Sequence, residues 1–321
     1  MRHKNSLLSV SFLLLLLYVS PMIGYSQLKG VHLLGDFGLS AGTQPEPSLI
    51  AAVPLYWYNA GTLKNSKGDV VNHNPNLSMF LTAIGGSLVS NAKILGGNWG
   101  ASVLIPFTSN RIEGNFVQSN SSFAFTDIFI QPIQLGWHRK QADFVAGYSL
   151  YIPTGKYSVG GSDNTGLGMW GNEFSAGSTV YFNAKKTFNF STIAFYEIHS
   201  SKKNSDLKAG NIITLEGGLA KTFYKKISGT PVPMIFNVGI PYYMQFKVSN
   251  DNIPVGNTTI TGTKDHIYGV GLEANMFYPR SFTSIGFRWI GETGAQNRFQ
   301  GNTYFITLSQ FIIRSFEKKK K

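Results

Sequence analysis

The stretch Thr187-Phe188-Asn189-Phe190-Ser191-Thr192-Ile193-Ala194-Phe195-Tyr196-Glu197-Ile198-His199-Ser200 decides the fold. Ser191, Ile193, Phe195, Glu197 and His199 fall on one face of an extended chain, and Thr192, Ala194, Tyr196 and Ile198 on the other. A helix would scatter both sets around its circumference. Two more segments repeat the pattern. Over 238–248, Tyr243, Gln245 and Lys247 oppose Tyr242, Met244, Phe246 and Val248; over 285–292, Gly286, Arg288, Ile290 and Glu292 oppose Ile285, Phe287, Trp289 and Gly291. Runs of about ten alternating residues are the mark of a strand that crosses a membrane.

Working outward from these, about twelve such segments begin near Ser48, Leu77, Gly97, Ser122, Ala142, Asn172, Thr187, Asn211, Met234, His266, Arg280 and Asn302. Their connections alternate in length. Those around 61–76, 109–121, 154–171, 200–210, 249–265 and 293–301 read as long and polar. Those around 90–96, 138–141, 184–186, 225–233 and 278–279 are shorter. Outer-membrane barrels have even strand numbers, long external loops and short periplasmic turns. A β-sandwich has no reason to alternate so regularly. The reading is therefore all-β: an antiparallel up-and-down transmembrane barrel of about twelve strands over 48–317.

The ends of the chain agree. Arg2, His3 and Lys4 precede an apolar run, and Gly24-Tyr25-Ser26 supplies small residues before Gln27, so 1–26 reads as a cleaved signal peptide. The apolar run is shorter than the roughly 20 residues a spanning helix needs. Residues 27–47 do not alternate, and Gln44-Pro45-Glu46-Pro47 cannot donate to a ladder at its prolines. This segment reads either as a periplasmic lead-in or as a partial plug folded into the lumen. Residues 318–321 form a basic tail, expected in the periplasm.

Composition excludes several classes. Only 14 % of residues are charged, against about 25 % in soluble domains, which is too few for a wholly water-facing surface. There is no Cys, and a chain of this length can bury enough surface without disulfides. Half of the formal charge of +12 lies in the leader and the tail. The remaining lysines sit in turns, with no nucleic-acid module around them, so nucleic acid is not an expected partner. The lipid bilayer is, and a single chain suffices for the barrel.

Charged and polar residues inside strand patterns should face the lumen, because charge facing lipid costs a few kcal/mol near the midplane. These are Asp127, Gln131, Glu197, His199, Glu216, Gln245, Lys247, Glu273, Arg288 and Glu292, with Tyr243 beside them. They read either as a satisfied interior network or as a solute path. Tyr56, Trp57, Tyr58, Trp137, Trp170, Tyr242, Tyr243 and Trp289 fit an interfacial girdle, and any on the lumen side could line an apolar path. Trp170 and Phe299 lie in segments expected to shape the mouth.

No metal site is expected: Glu197 and His199 share a face, but two ligands are too few. Gly166, Gly168 and Gly171 match a dinucleotide fingerprint without the βαβ unit it requires. Ser200-Ser201-Lys202-Lys203 and Ser162-Asp163-Asn164 occur in the wrong order for a β-lactamase-type site. No catalytic residue and no cofactor is expected. The one enzyme class the pattern leaves open is an outer-membrane lipase, with His199 and a nearby Ser on the outer face.

Several runs together resemble a known family. They are 38–47, 94–102, 127–137, 151–157, Asp163-Asn164-Thr165-Gly166-Leu167-Gly168-Met169-Trp170 and Tyr196-Glu197-Ile198-His199-Ser200. Taken together they are similar to the outer-membrane family named for the phenol meta-degradation pathway. Ser48 departs from the Gly common there. The resemblance implies a transporter barrel and passive uptake of small hydrophobic or aromatic solutes. A general hydrophilic porin and a structural or adhesion barrel would carry the same strand pattern.

Overall fold

The computed structural model describes residues 28–71, 75–115, 117–255, 258–262 and 264–314. The signal peptide and the basic tail read from the sequence lie outside them. The described strands are β1 (Ser48–Leu63), β2 (Asn76–Ile94), β3 (Gly97–Gly114), β4 (Val117–Phe125), β5 (Ile128–His138), β6 (Ala142–Ile152), β7 (Gly171–Tyr181), β8 (Phe188–His199), β9 (Ile212–Lys225), β10 (Met234–Lys247), β11 (Asn252–Val255), β12 (Thr258–Thr261), β13 (His266–Tyr278), β14 (Thr283–Gln296) and β15 (Phe299–Arg314).

Every sequential pair is antiparallel, and β1 pairs with both β2 and β15, so the sheet closes on itself. β4 and β5 share one neighbour. β3 pairs with β4 from Gly114↔Val117 to Phe107↔Phe125, then with β5 from Leu104↔Phe129 to Asn98↔Gly136. They are one stave broken at Thr126-Asp127. β11 and β12 form a separate hairpin within the 248–265 connection. Twelve staves make the barrel, in the number and order the alternation predicts.

Alternation along each stave sorts the side chains. Leu272 is 60 % exposed and the adjacent Glu273 only 6 %. Phe144, Phe174, Phe190, Phe236 and Phe287 point outward with Leu272 and build an apolar outer face. Glu173, Ser191, Glu197, Thr214 and Glu216 point inward and are buried. Apolar outside and polar inside is the reverse of a soluble barrel and suits a lipid surround.

Two connections differ from expectation. The segments 109–121 and 293–301, read as long loops, are mostly strand. β3 runs to Gly114 and β4 starts at Val117, and β14 and β15 are separated by Asn297-Arg298 alone. Their polar residues resemble loop composition, yet above the membrane a strand needs only backbone partners, and Asn110, Arg111 and Ile112 pair with Ser121, Asn120 and Ser119. Phe299 accordingly opens β15 rather than a loop. At the opposite rim, Leu95 and Gly96 both take positive φ, 51° and 78°, the two-residue turn that matches strand twist. The girdle reading fails for Tyr56, Tyr58 and Tyr243, which are buried inside.

Candidate functional site

Residues 28–47 run through the lumen, and the inward carboxylates take hold of their backbone. The Glu197 carboxylate of β8 accepts the amides of Val31 (2.7 Å) and His32 (3.1 Å). Glu216 of β9 accepts those of Gly35 (2.6 Å) and Phe37 (2.8 Å). Glu273 of β13 accepts that of Leu39 at 3.2 Å. Arg288 of β14 binds Glu273 through Nε at 2.6 Å and donates to the carbonyls of Gly35 and Asp36. Lower down, Gly42 donates to Ser191 Oγ at 2.7 Å, and Gln44 reaches Gln134. A Cβ at Gly42 would overlap the Ser178 backbone of β7, so this approach needs glycine.

Buried carboxylates are costly unless paired and fully hydrogen-bonded. Here the segment supplies the partners. His32 lies between two of them, Nδ1 at 2.7 Å from Glu173 and Nε2 at 3.1 Å from Glu216. Burial alone would discharge the imidazole, but the carboxylates outweigh it and hold His32 well above the ordinary histidine value. Phe195 and Phe37 pack around its ring. His199 bonds Glu197 (3.2 Å) and the Gly210 carbonyl (3.1 Å).

The other residues expected in the lumen also face inward. Lys247 holds the Leu28 carbonyl, Asp251 and Asp265, each at 2.9 Å. Gln245 joins Thr214 to Arg298. Glu292 accepts from Tyr58 and Tyr243 at 2.7 Å each and from the Gly301 amide at 2.6 Å. Gln131 donates to Ser149. Asp127, at the break between β4 and β5, accepts the amides of Gly155 (3.0 Å) and Leu167 (2.7 Å) and ties the 153–170 connection to the wall. Trp170 is 45 % exposed at the end of that connection, outside the cavity lining, where its amide donates to Ser200 Oγ. Sequence reading missed Glu173 and His32. Glu173 shares a face with Ser175 in an alternating strand and was available to the same logic; His32, in a segment with no period, was not.

Asp127 gives a direct test. Hydrogen bonds to a charged group contribute about 1.5–3 kcal/mol each, and Asp127→Ala removes two. Trypsin should then cut the folded barrel at the exposed Lys156 at least about tenfold faster than wild type. An unchanged rate would show that the loop is held elsewhere.

The segment's hydrogen bonds go mostly to β7–β10, β13 and β14, and space remains on the side of β1–β3 and β5. There a cavity of about 250 Å³ opens between Leu33 and Leu34 of the segment and the inner faces of β1, β2, β3 and β5. Tyr56, Met79, Leu81, Leu104, Pro106 and Phe129 form its apolar wall. Lys29, Arg298, Asp36, Asp127, Glu173 and Glu292 are the charged residues of its lining. The lipase constellation is not assembled: His199 is inside the barrel, 2 % exposed, against Glu197.

A family model described as "Putative MetA-pathway of phenol degradation" matches residues 60–308. The chain belongs to this family. The fold has a counterpart among solved structures, an outer membrane channel from Pseudomonas putida F1. It is 12 % identical, with a TM-score of 0.67, over 87 % of this chain and 99 % of that one. The β domain of the Bordetella autotransporter BrkA is more distant, 10 % identical with a TM-score of 0.46, over 82 % of this chain and 99 % of that one. No functionally curated protein matches. The family member described here is a closed twelve-stave barrel of the outer-membrane type, built to sit in lipid.

Proposed function

We propose that the protein is an outer-membrane channel for passive passage of small apolar or aromatic solutes, with residues 27–47 as a partial plug. The carrying observation is the cavity between the segment and β1–β3. An apolar cavity of about 150 Å³ admits benzene, so about 250 Å³ accommodates a substituted single ring. The inward charges support this reading because most are engaged by one another or by the segment's backbone, rather than lining an open aqueous path. No described residue is placed for covalent chemistry.

Single-channel recording tests it. The refolded mature protein in a planar bilayer should show small currents, reduced by millimolar benzamide and not by arabinose. Leu81→Asp, which puts a charge into the apolar wall, should weaken the block by about tenfold, the scale of burying a charge without a partner. Large ohmic currents indifferent to benzamide would replace this reading with a hydrophilic porin.

A further inference from the structure

Two cations, Lys29 and Arg298, line the cavity among its acidic groups. Lys29 lines it, with Nζ 5.6 Å from the centre of the Tyr58 ring and no hydrogen bond to any described residue. Most other charged groups at the cavity are engaged. Glu292 accepts three hydrogen bonds and Asp127 two. Glu173 is tied to His32. Asp36 is exposed and lies in the field of Glu216 as well as of His32 and Arg288; the carboxylates that act on Lys29 are Glu292 and Asp265. Arg298 lines the same cavity and lies close enough to act on the Lys29 charge. Its Nη1 bonds Gln245 and Asp265, while its buried Nε has no partner among the described residues.

We propose that Lys29, backed by Arg298, is an anion-recognition site, and that the channel's preferred solute is an amphipathic carboxylate with a single aromatic or short aliphatic body. The inference rests on the apolar-solute reading above and names the head group that goes with it. The body would lie along Tyr56, Met79, Leu81 and Phe129, and the carboxylate would meet the ammonium over the Tyr58 ring. An ammonium in that place is poorly solvated. Burial, and after it the neighbouring Arg298, lowers the Lys29 pKa to about 8, while Glu292 and Asp265 offset part of that. A bound carboxylate would give the Lys29 ammonium a direct hydrogen-bonding partner, which none of the described residues supplies, and a charge-assisted hydrogen bond is a strong one.

Three single-ring probes of similar size in one bilayer experiment at physiological salt decide it: benzoate, benzamide and benzylammonium. Benzoate should block wild-type current at about one tenth the concentration of benzamide, the scale of one hydrogen bond between charged groups. Lys29→Met should bring the ratio to about one, and Lys29→Arg should restore most of it. Lys29 lies outside every stave, so neither substitution touches the barrel ladder. Equal block by benzoate and benzamide in wild type overturns the anion site and leaves the apolar pocket standing. Preference for benzylammonium overturns it in favour of the acidic groups. No block by any of the three means that the apolar-solute reading itself has failed.

Discussion

Deleting residues 28–43 while keeping the barrel should raise single-channel conductance several-fold and turn the pore cation-selective. The segment fills the half of the lumen beside β7–β10, β13 and β14, and nothing in the staves depends on it for closure, since β1 begins at Ser48 and pairs with both neighbours. Its removal strips backbone donors from Glu197, Glu216 and Glu273 and the imidazole from Glu173. Lys29 and His32 leave with it. Arg288 and Lys247 remain, but the wall keeps more carboxylates than cations, and once flooded it is solvated rather than unstable. A ring of acidic side chains attracts cations into a pore. Heat-modifiable migration on a gel would first establish that the shortened chain folds. Conductance and reversal potential equal to wild type would show that the segment does not occupy the lumen in the bilayer.

The contrast between staves and segment also explains what could be read from the sequence. Ser191, Ile193, Phe195, Glu197 and His199 share one face because a strand has a period of two, and that period survives in any context where one face meets lipid and the other does not. The same logic turned Glu216, Gln245, Lys247, Glu273 and Arg288 inward. It reached no further than the period. The 28–47 segment is held chiefly through its backbone amides, which every residue except proline possesses, so nothing in its side chains announces Glu197 or Glu216 as partners. Only its glycines and the polar side chains of His32, Thr43 and Gln44 carry a trace of the docking. The break at Asp127 was hidden for a related reason: strand pattern continues on both sides, and the loop that fills the gap arrives from 155–167. Polar composition misled in the other direction at 109–121 and 293–301, because a strand standing clear of the membrane no longer needs an apolar face.

The docking of His32 sets a pH dependence whose sign follows from its surroundings. Glu173 of β7 and Glu216 of β9 bond its two ring nitrogens, and Glu197 of β8, itself bonded to His199, accepts its amide. Asp36 of the segment and Arg288 of β14 lie close by, the latter on the Asp36 carbonyl. Burial opposes the charged ring and the two carboxylates outweigh it, so the docked pKa stands well above that of a histidine in water. A raised pKa means that the charged form favours docking. The contribution is complete below about 6.5, the value in water, and is lost as pH rises through the docked value. The segment should therefore release, and open probability climb, on going alkaline, by at most about tenfold per pH unit for one proton. His32→Gln keeps a hydrogen-bonding side chain but cannot charge. Its channel should already be more open near pH 6 and nearly flat above it. Recording open probability from pH 6 upward for wild type, His32→Gln and His199→Gln separates the two imidazoles. If the slope disappears in His199→Gln and persists in His32→Gln, the proton that governs docking is not the one between Glu173 and Glu216.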